Sequence, residues 1–446
     1  MSNLATSTTT TYSADTLSTS FRNRTATIAI IGMGYVGLPM ALEFVRAGFS
    51  TIGIDIDDNR CAALQSGKSY VADVTDFDLQ TTLATGKFIV TATMASLSEA
   101  DAILICVPTP LSKSKDPDLS AVVAAGEAVS RYLRRGQLIV LESTTYPGTT
   151  SEVLLPMLEA TGLNSGSDFY LAFSPERVDP GNPEYGVANI TKLVGGCTSS
   201  ATDVAATMYE QIVGKVVKVS SPHVAEAAKL LENTFRSINI GLANEMAMIC
   251  RHLGIDVWEV IAAASTKPFG FMPHYPGPGI GGHCIPLDPH YLAWKVRLRG
   301  YEPRLIGVAS QINADMPRHV VELVSEALND LGRSVRNSKV LVLGIAYKPH
   351  VSDIRESPAL DIIELLHRRG AILTYCDPYV PELVTPGLNL SSRTLTAELL
   401  REAECVLITT HHSDFDYEMV VRESSLVIDT RNATRKFVGS GNVRFL

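Results

Sequence analysis

Short apolar, β-branched segments alternate with longer segments of helical periodicity along most of the chain. This alternation predicts an α/β fold in which helices connect parallel strands. The strands predicted in the first half are 27–31, 50–54, 102–107, 138–142 and 170–173. The pattern begins again near residue 339, with predicted strands at 339–344, 371–376, 405–409 and 426–429. We therefore expect two Rossmann-like open parallel-sheet domains, joined by a central helical region with a long helix.

The central region is dominated by residues 224–253, which predict one long helix. Its apolar positions leave little of its surface polar, and they are Ala228, Leu231, Phe235, Ile238, Ile240, Leu242 and Met246. We expect the helix to be buried between domains and to form part of a homodimer interface. Lys229 and Asn233 lie four positions apart, on one helix face. Because a lysine and an amide inside such a helix need partners, both are candidate site residues.

Composition narrows the class of protein. The chain has 446 residues, too many for one ordinary domain. Its net charge of −9 argues against nucleic acid or an anionic membrane as the main partner. We see neither an apolar run long enough to cross a bilayer nor a secretory leader. The seven cysteines are scattered, with no CxxC pair and no zinc spacing. This indicates a reduced, cytoplasmic protein without a disulfide framework, and we expect no metal site.

The first predicted strand leads directly into a Gly-x-Gly-x-x-Gly motif formed by Gly32, Gly34 and Gly37, and a helix follows. These glycines suit a tight turn, close approach of a pyrophosphate, and close packing of helix on strand. The next strand ends at Asp55, 23 residues after Gly32. Asp55 is expected to bind a ribose 2′-hydroxyl and to repel a 2′-phosphate, which favours NAD over NADP. Arg60 is placed either to tolerate that phosphate or to line the adenine.

Other polar residues follow predicted strands. Thr109 and Thr144 lie where a sheet of this kind holds its cofactor, although turn capping is an alternative for each. Glu176 and Arg177 follow another strand, with a surface ion pair as the alternative.

The second sheet lacks the phosphate motif, because Ile345 and Ala346 follow Gly344. We therefore expect it to bind a nucleotide or substrate portion and not a second dinucleotide. Lys348, Arg355 and Arg431 lie at strand ends or in the loops after them and are candidate phosphate ligands, unless they are solvated charges.

The segment 275–290 is rich in glycine and proline, which excludes a helix or a central strand. Such a loop lets a ligand approach the backbone, and it carries Cys284 between His283 and, four residues on, Asp288. A thiolate with a lowered pKa is a strong nucleophile. The alternative is a buried structural cysteine beside a tight turn.

Together these motifs resemble the UDP-glucose/GDP-mannose dehydrogenase family over nearly all of the chain after its first residues. The matching segments are Gly-Met-Gly-Tyr-Val-Gly at 32–37, Glu-Ser-Thr at 142–144, Ser-Pro-Glu-Arg at 174–177, Lys-Leu-Leu-Glu-Asn at 229–233, Gly-Gly-His-Cys at 281–284 and Asp-Ile-Arg-Glu-Ser at 353–357. Residues 267–271 and 275–279 are most similar to the UDP-N-acetylglucosamine 6-dehydrogenase branch. Family members that act on UDP-glucose carry an arginine near Pro268, where the nearest cation here is Lys267.

The resemblance implies oxidation of a sugar C6 alcohol to a carboxylate with two NAD in turn, as in polysaccharide biosynthesis. The catalytic residues that it implies are Cys284, Lys229, Asn233, Asp288, Glu176 and Thr144. The implied cofactor-binding residues are Gly32, Gly34, Tyr35, Val36, Gly37, Asp55, Arg60, Thr109, Thr144 and Arg355. The implied substrate-binding residues are Glu176, Arg177, Lys229, Asn233, Tyr275, Gly279, Gly281, Tyr347, Lys348 and Arg431.

The implied organisation is a disordered tail at 1–24, because that stretch is rich in Ser and Thr. Three domains follow the tail: an NAD-binding domain at 25–215, a central helical and dimerisation region at 216–332 with the cysteine loop, and a nucleotide-sugar domain at 333–446. UDP-glucose, UDP-GalNAc and UDP-ManNAc are alternative substrates. Two other functions compete: a single-step hydroxy-acid dehydrogenase, which needs no cysteine, and a catalytically silent binder of NAD or nucleotide sugar.

Overall fold

The computed structural model describes residues 13–71, 73–112, 116–179, 184–385, 387–437 and 439–446. The chain divides into two compact units, of which the first ends at Leu231 and the second begins at Glu232. None of the helices in these ranges combines the length and the apolar character that crossing a bilayer requires.

The first unit alternates strands and helices. Its helices are α1 (Ala14–Asn23), α2 (Gly37–Arg46), α3 (Asp58–Gln65), α4 (Asp76–Ala84), α5 (Ser120–Tyr132), α6 (Leu155–Glu159), α7 (Ser199–Tyr209) and the first part of α8 (Pro222–Leu253). Its strands are β1 (Thr27–Ile31), β2 (Ser50–Ile54), β3 (Phe88–Thr91), β4 (Ala102–Ile105), β5 (Leu138–Leu141), β6 (Tyr170–Phe173), β7 (Lys192–Gly196) and β8 (Val216–Lys218). A short 3₁₀ helix covers Met94–Glu99, and a π-helical turn covers Thr149–Leu154.

These strands form one sheet in the order β3-β2-β1-β4-β5-β6-β7-β8. Every neighbouring pair is parallel except β6 and β7, which are antiparallel. The predicted open parallel sheet is thus confirmed, with one antiparallel pair that the sequence did not indicate. The reason is local, because the described part of 174–191 contains no helix, and only a parallel connection needs a crossover of that kind.

Both faces of this sheet are buried. Along β1, Ile28 and Ile30 belong to one hydrophobic cluster, whereas Ala29 and Ile31 belong to another. Successive side chains of a strand point to opposite faces, so a strand with two covered faces needs a continuous apolar run. This explains why β1, β4 and β5 were recognisable in the sequence.

Helix α1 corrects the prediction of a disordered tail at 1–24. Residues 14–23 are helical, with the Ser13 hydroxyl accepting a hydrogen bond from the Thr16 N–H group at 3.2 Å. Leu17 and Phe21 lie one turn apart and are buried in the same hydrophobic cluster as Met208 of α7. This pair of apolar residues stabilises a helix that the Ser- and Thr-rich composition conceals. Residues 1–12 lie outside the described ranges.

The second unit begins with the rest of α8. Its other helices are α9 (Val257–Ala264), α10 (Asp288–Arg297), α11 (Arg304–Asp330), α12 (Pro358–Arg368), α13 (Ala397–Glu402) and α14 (Tyr417–Glu423), with a 3₁₀ turn at Arg435–Phe437. Its strands are β9 (Lys339–Leu343), β10 (Ile372–Cys376), β11 (Glu382–Thr385), β12 (Leu388–Ser391), β13 (Cys405–Ile408), β14 (Val427–Asp429) and β15 (Val443–Phe445). Strands β11 and β12 form a hairpin, and the other five form a parallel sheet in the order β10-β9-β13-β14-β15.

The α/β class, the two open sheets and the long helix are thus confirmed. One expectation for α8 was wrong: Leu231, Phe235 and Leu242 are 65%, 44% and 55% exposed on the single chain and are not buried. An apolar helix pattern shows that a face avoids water but does not show what covers it. At α12, Ser357 occupies the predicted N-cap position before Pro358, but its hydroxyl makes no capping hydrogen bond.

Candidate active site

The glycine motif after β1 forms a turn that is packed on one side and open on the other. Gly32 has a φ of +96°, and a Cβ there would lie 2.6 Å from the Cys106 carbonyl oxygen. A Cβ on Gly37 would lie 1.8 Å from the Gly32 carbonyl oxygen. A Cβ on Gly34 would meet nothing within 4 Å. Packing therefore requires Gly32 and Gly37, whereas Gly34 leaves the backbone accessible to a ligand.

Asp55 lies at the end of β2 and faces this turn. Its buried carboxylate accepts hydrogen bonds from the Met33 N–H group at 2.9 Å and the Asp57 N–H group at 3.0 Å. The Arg60 guanidinium is half-exposed, 3.9 Å from the Asp55 carboxylate and 5.4 Å from the centre of the Tyr70 ring. An acid beside an open glycine turn at the start of α2 fits the adenosine and pyrophosphate portions of a dinucleotide.

The remaining predicted cofactor residues of the first unit surround the same edge of the sheet. Tyr35 is exposed and Val36 half-buried in the glycine turn. Thr109 follows β4 and is buried, whereas Thr144 follows the neighbouring strand β5 and is half-buried. The Ser143 hydroxyl donates a hydrogen bond to the Val107 carbonyl oxygen at 2.7 Å, which ties the loops after β4 and β5 together.

The segment after Thr144 is also attached to α8, by a residue that sequence reasoning missed. The Glu226 carboxylate is fully buried and accepts hydrogen bonds from the N–H groups of Gly148, at 2.6 Å, and Thr150, at 2.9 Å. It also accepts one from the Thr150 hydroxyl at 2.7 Å. Lys229 lies three residues later on α8, is 8% exposed, and has no ion-pair partner among the described residues of this unit.

A buried charge cluster lies at the ends of β5, β6 and β7. Lys192 is 1% exposed, and its Nζ lies 2.6 Å from Oε2 of Glu142 and 3.2 Å from Oε2 of Glu176. The Tyr209 hydroxyl donates a hydrogen bond to the other oxygen of Glu142. Glu176 was predicted as a site residue, whereas its contact with Lys192 was not predicted. Its one signal in the sequence is a lysine at the start of an apolar strand.

The cluster separates the acidities of its two carboxyl groups. Burial raises the pKa of Glu142 to about 7, although Lys192 opposes this rise. Burial acts on Glu176 in the same direction, but the charge of Lys192 and the N–H groups of Val178 and Arg177 outweigh it. The pKa of Glu176 therefore lies below its ordinary value. Arg177 itself donates a hydrogen bond to the Thr191 carbonyl oxygen at 2.7 Å.

Cys284 lies in the turn that leads into α10. All seven cysteines belong to the described residues, and only Cys284 is exposed. Its carbonyl oxygen accepts the Asp288 N–H group at 2.9 Å. The Asp288 side chain is buried, and the Asn233 amide nitrogen lies 2.5 Å from its carboxylate. The structure thus brings the predicted residues Asn233 and Asp288 into direct contact, one turn of helix from Cys284.

The six predicted catalytic residues are divided between the two units. Thr144, Glu176 and Lys229 belong to the first unit, and Asn233, Cys284 and Asp288 belong to the second.

The glycine loop before Cys284 packs against the loops of the second sheet. A Cβ on Gly281 would lie 2.7 Å from the Tyr347 Cβ, and one on Gly282 would lie 2.8 Å from the Tyr347 ring. A Cβ on Gly277 would lie 2.6 Å from the Arg431 guanidinium. Any larger residue at these positions would displace Tyr347 or Arg431, so the glycines allow the loop to approach two predicted substrate-binding residues.

Other predicted substrate residues lie near this loop. Tyr275 stacks on Trp258 with ring centres 5.8 Å apart, and Gly279 has a φ of +135°, which favours glycine. The Lys348 Nζ lies 5.6 Å from the centre of the Tyr347 ring.

Two further cations near the loop have contacts of their own. The Arg355 guanidinium pairs with Asp353 at 2.6 Å, and the Arg355 carbonyl oxygen accepts the Gly282 N–H group at 3.1 Å. Lys267, the nearest cation to Pro268 in the sequence, lies 5.0 Å from the centre of the Phe269 ring.

The turn after β9 differs from the glycine turn of the first sheet. Asp377, at the end of β10, accepts the N–H groups of Ile345 at 2.7 Å and Ala346 at 3.0 Å. The buried His412 ring lies 3.2 Å from the same carboxylate. Asp55 makes the corresponding contact with Met33 in the first sheet. The two turns differ at the next position, which is Gly34 in the first sheet and Ala346 in the second, so the second turn lacks the glycine that leaves the backbone of the first one accessible.

Three profiles of one family match consecutive parts of the chain. The NAD binding domain of the UDP-glucose/GDP-mannose dehydrogenase family matches residues 26–213, its central domain matches 223–315, and its UDP binding domain matches 341–436. The chain belongs to the UDP-glucose/GDP-mannose dehydrogenase family. It is therefore an oxidoreductase, an NAD-dependent UDP-sugar dehydrogenase.

Individual relatives differ in the sugar they are named for. The UDP-N-acetyl-D-glucosamine 6-dehydrogenase of Pseudomonas aeruginosa is 36% identical over 79% of this chain and 83% of that protein. The UDP-N-acetyl-D-mannosamine dehydrogenase of Pyrococcus horikoshii is 34% identical over 92% of this chain and 96% of that protein. A solved structure of UDP-D-ManNAc dehydrogenase from Pyrococcus horikoshii has a TM-score of 0.84 at 35% identity, covering 91% of this chain and 96% of that one.

Proposed function

We propose that this enzyme oxidises the C6 alcohol of UDP-N-acetylglucosamine to the uronic acid in two steps, with Cys284 as the nucleophile. The observation that carries this proposal is the single exposed cysteine one helical turn before a buried carboxylate that an amide holds. The other six cysteines are buried or half-buried. Burial raises the pKa of five of them, Cys61, Cys106, Cys197, Cys376 and Cys405, which makes these thiols poor nucleophiles. When bound, NAD accepts a hydride in each of the two oxidations.

In the first oxidation, the C6 hydroxyl loses its proton while the hydride leaves. Asp288, acting through a water molecule, takes that proton. Asn233 holds the carboxylate by the 2.5 Å contact, which fixes its orientation. The Lys229 ammonium stabilises the developing negative charge on oxygen, and its burial strengthens that interaction.

In the second oxidation, the Cys284 thiolate adds to the aldehyde and forms a thiohemiacetal, which prevents escape of the aldehyde. Lys229 and Asn233 stabilise the oxyanion. Loss of the second hydride gives a thioester on Cys284. Water then adds to the acyl carbon. Glu176 takes a proton from this water, and Thr144 helps to hold the water in place. The C–S bond breaks and the thiolate leaves, so the acid is released and the cysteine is regenerated.

The binding residues, apart from Arg355, follow the division of the chain into an NAD binding domain and a UDP binding domain. In the NAD binding domain, the open turn at Gly34 receives the pyrophosphate and Asp55 the ribose 2′-hydroxyl, which favours NAD over NADP. Arg355 also holds NAD, through the positive charge of its guanidinium. Tyr347, Lys348 and Arg431 hold the nucleotide portion of the sugar substrate.

UDP-ManNAc is the second candidate substrate. The relative named for this sugar covers 92% of the chain, against 79% for the relative named for UDP-GlcNAc. The proposal of UDP-GlcNAc rests on the segments 267–271 and 275–279, because both resemble the UDP-N-acetylglucosamine 6-dehydrogenase branch and the second begins the cysteine loop.

The deciding measurement is the number of NADH molecules formed per UDP-sugar consumed, with UDP-GlcNAc, UDP-ManNAc, UDP-GalNAc and UDP-glucose offered separately. We expect two with UDP-GlcNAc preferred. Two with another sugar preferred would retain the mechanism and change the substrate. One NADH per sugar would refute the role of Cys284.

Cys284→Ser tests the mechanism directly. We expect weak first oxidation and no net formation of acid, because a serine ester is harder to form and to hydrolyse at this site than a thioester. The matched control is Cys197→Ser, because Cys197 is a half-buried cysteine of the first unit, and this variant should retain acid formation. Acid produced by Cys284→Ser at the wild-type rate would exclude the thioester.

We further propose a cytoplasmic homodimer. The exposed apolar residues Leu231, Phe235 and Leu242 of α8 are suited to cover the same face of a second copy. All seven cysteines are unpaired, as suits a reducing compartment. Light scattering of the purified protein measures the mass, and a mass of one chain at micromolar concentration would contradict the dimer.

A further inference from the structure

The buried cluster around Lys192 holds more charge than a structural role requires. Two carboxylates and one ammonium lie together, with Lys192 and Glu142 only 1% and 2% exposed. Buried ion pairs rarely stabilise a fold more than apolar residues of the same volume, because removing charges from water is costly. The three strands that deliver them, β5, β6 and β7, are neighbours in the sheet. The cluster therefore calls for a functional explanation.

The geometry gives Lys192 a definite direction. Glu142 and the Tyr209 ring lie on its buried side, with the ring centre 5.2 Å from Nζ. Glu176, whose side chain is 12% exposed, is the member nearest to solvent. One Glu176 oxygen faces Lys192 at 3.2 Å, and the other accepts the N–H groups of Arg177 and Val178, each at 2.7 Å. The carboxylate of Glu176 is thus fixed at both oxygens.

We propose that Lys192, anchored by Glu142 and Tyr209, is a positioning residue that holds Glu176 ionised and oriented for thioester hydrolysis. This inference rests on the function proposed above, in which Glu176 takes the proton of the attacking water. The titratable groups that face the cluster are Glu142 after β5, Cys106 after β4 and Tyr209 on α7. Lys192 supplies the positive charge of this cluster, and with the N–H groups of Val178 and Arg177 it opposes the effect of burial on Glu176.

The proposal explains why one of the two acids is available as a base. The pKa of Glu142 is raised to about 7 by burial, whereas the pKa of Glu176 is lowered. As the pH falls through neutrality, Glu142 takes up a proton first. Lys192 then pairs with Glu176 alone and keeps it ionised at mildly acidic pH. The two environments thus leave Glu142 protonated and Glu176 ionised, so that Glu176 can act as the base.

The test is Lys192→Met, with Lys218→Met as a matched control. Lys218 lies in the neighbouring strand β8 and forms an exposed pair with Asp203. Enzyme is mixed with UDP-GlcNAc and NAD, and rapid quenching with intact-protein mass spectrometry follows the acyl group on Cys284 from pH 5.5 to 8. In Lys192→Met we expect NADH formation in the first turnover to remain and the acyl-enzyme to accumulate. Its hydrolysis should slow on the order of 100-fold at pH 6.

The pH dependence separates positioning from structural damage. Without Lys192, only the N–H groups of Arg177 and Val178 still oppose the effect of burial, so the pKa of Glu176 rises relative to the wild type. Hydrolysis should then increase about tenfold per pH unit over part of this range. The wild type and Lys218→Met should show no such increase. Glu142→Gln disrupts the same cluster but leaves Lys192 paired with Glu176. The pH at which its hydrolysis falls to half of the maximum should therefore equal that of the wild type or lie below it.

The outcomes distinguish this inference from the function on which it rests. If wild-type enzyme forms one NADH per sugar and no acyl-enzyme, the proposed function fails. If the wild type forms two and Lys192→Met hydrolyses its acyl-enzyme with the wild-type rate and profile, only the role of Lys192 fails. The same conclusion follows if Glu142→Gln shifts the profile upward as Lys192→Met does. Should Lys192→Met not fold, an upward shift of the Glu142→Gln profile would still refute the role of Lys192, and a downward shift would support it, because it shows that Lys192 then acts on Glu176 alone.

Discussion

Replacing Glu226 by alanine removes the acceptor that joins α8 to the segment after Thr144. The change would leave the N–H groups of Gly148 and Thr150 buried without a partner. A buried unsatisfied donor costs about 1–3 kcal/mol, so the two together cost about 2–6 kcal/mol. A domain has about 5–15 kcal/mol of total stability, so the loss is a large fraction of it. Glu226→Gln keeps the shape and one acceptor oxygen and should cost roughly half as much.

Two measurements test this value. Urea unfolding, monitored by circular dichroism, should show the loss of stability in the unfolding transition of the first unit, which contains Glu226, Gly148 and Thr150. Hydrogen exchange at residues 146–151 should become about 30-fold to 10⁴-fold faster if opening of this segment is local, since each 1.4 kcal/mol is a factor of about ten. Glu245→Ala, an exposed acid on the same helix, is the control and should change stability by less than about 0.5 kcal/mol. A loss below about 1 kcal/mol with unchanged exchange would refute the reasoning, because those N–H groups would then have other acceptors.

Two further predictions concern the acids at the ends of β10 and β2. Burial raises the pKa of Asp377, but the hydrogen bonds from His412 and the backbone outweigh it and leave the pKa below its ordinary value of 3.8. The ionised carboxylate therefore stabilises the fold at neutral pH, and this contribution disappears as the pH falls below 3.8 toward the folded pKa. Asp377→Asn should lose about 2 kcal/mol of unfolding free energy at pH 7, measured by urea unfolding, and its stability should depend less on pH in the acid range. An unchanged dependence of stability on pH would exclude this linkage. Asp55→Asn should raise the KM for NAD by about tenfold and lower that for NADP, measured by steady-state kinetics with Asp57→Asn as control, because the variant no longer repels a 2′-phosphate. An unchanged ratio of the two KM values would show that Asp55 does not select the cofactor.

The sequence alone determined the features that depend on neighbouring positions. Strands buried on both faces appear as continuous apolar runs, so the α/β class and most strands of both sheets were predictable. The glycine motif ending in Asp55, and the glycine-rich loop with Cys284 and Asp288, are local spacings. They identified the family and the candidate nucleophile before any contact was known. The long helix α8 followed from its periodicity.

Tertiary structure decided what depends on residues far apart in the chain. Lys192 and Glu142 are 50 positions apart, and Glu226 and Gly148 are 78 apart. No local pattern contains such a pair, because the sheet and α8 bring its members together only when the chain folds. The antiparallel strand β7 and the helix α1 were missed for the same reason, since a strand direction and a short helix are fixed by what they pack against. The sequence thus specified which chemical groups the enzyme carries, and folding decided which of them are buried, paired and oriented.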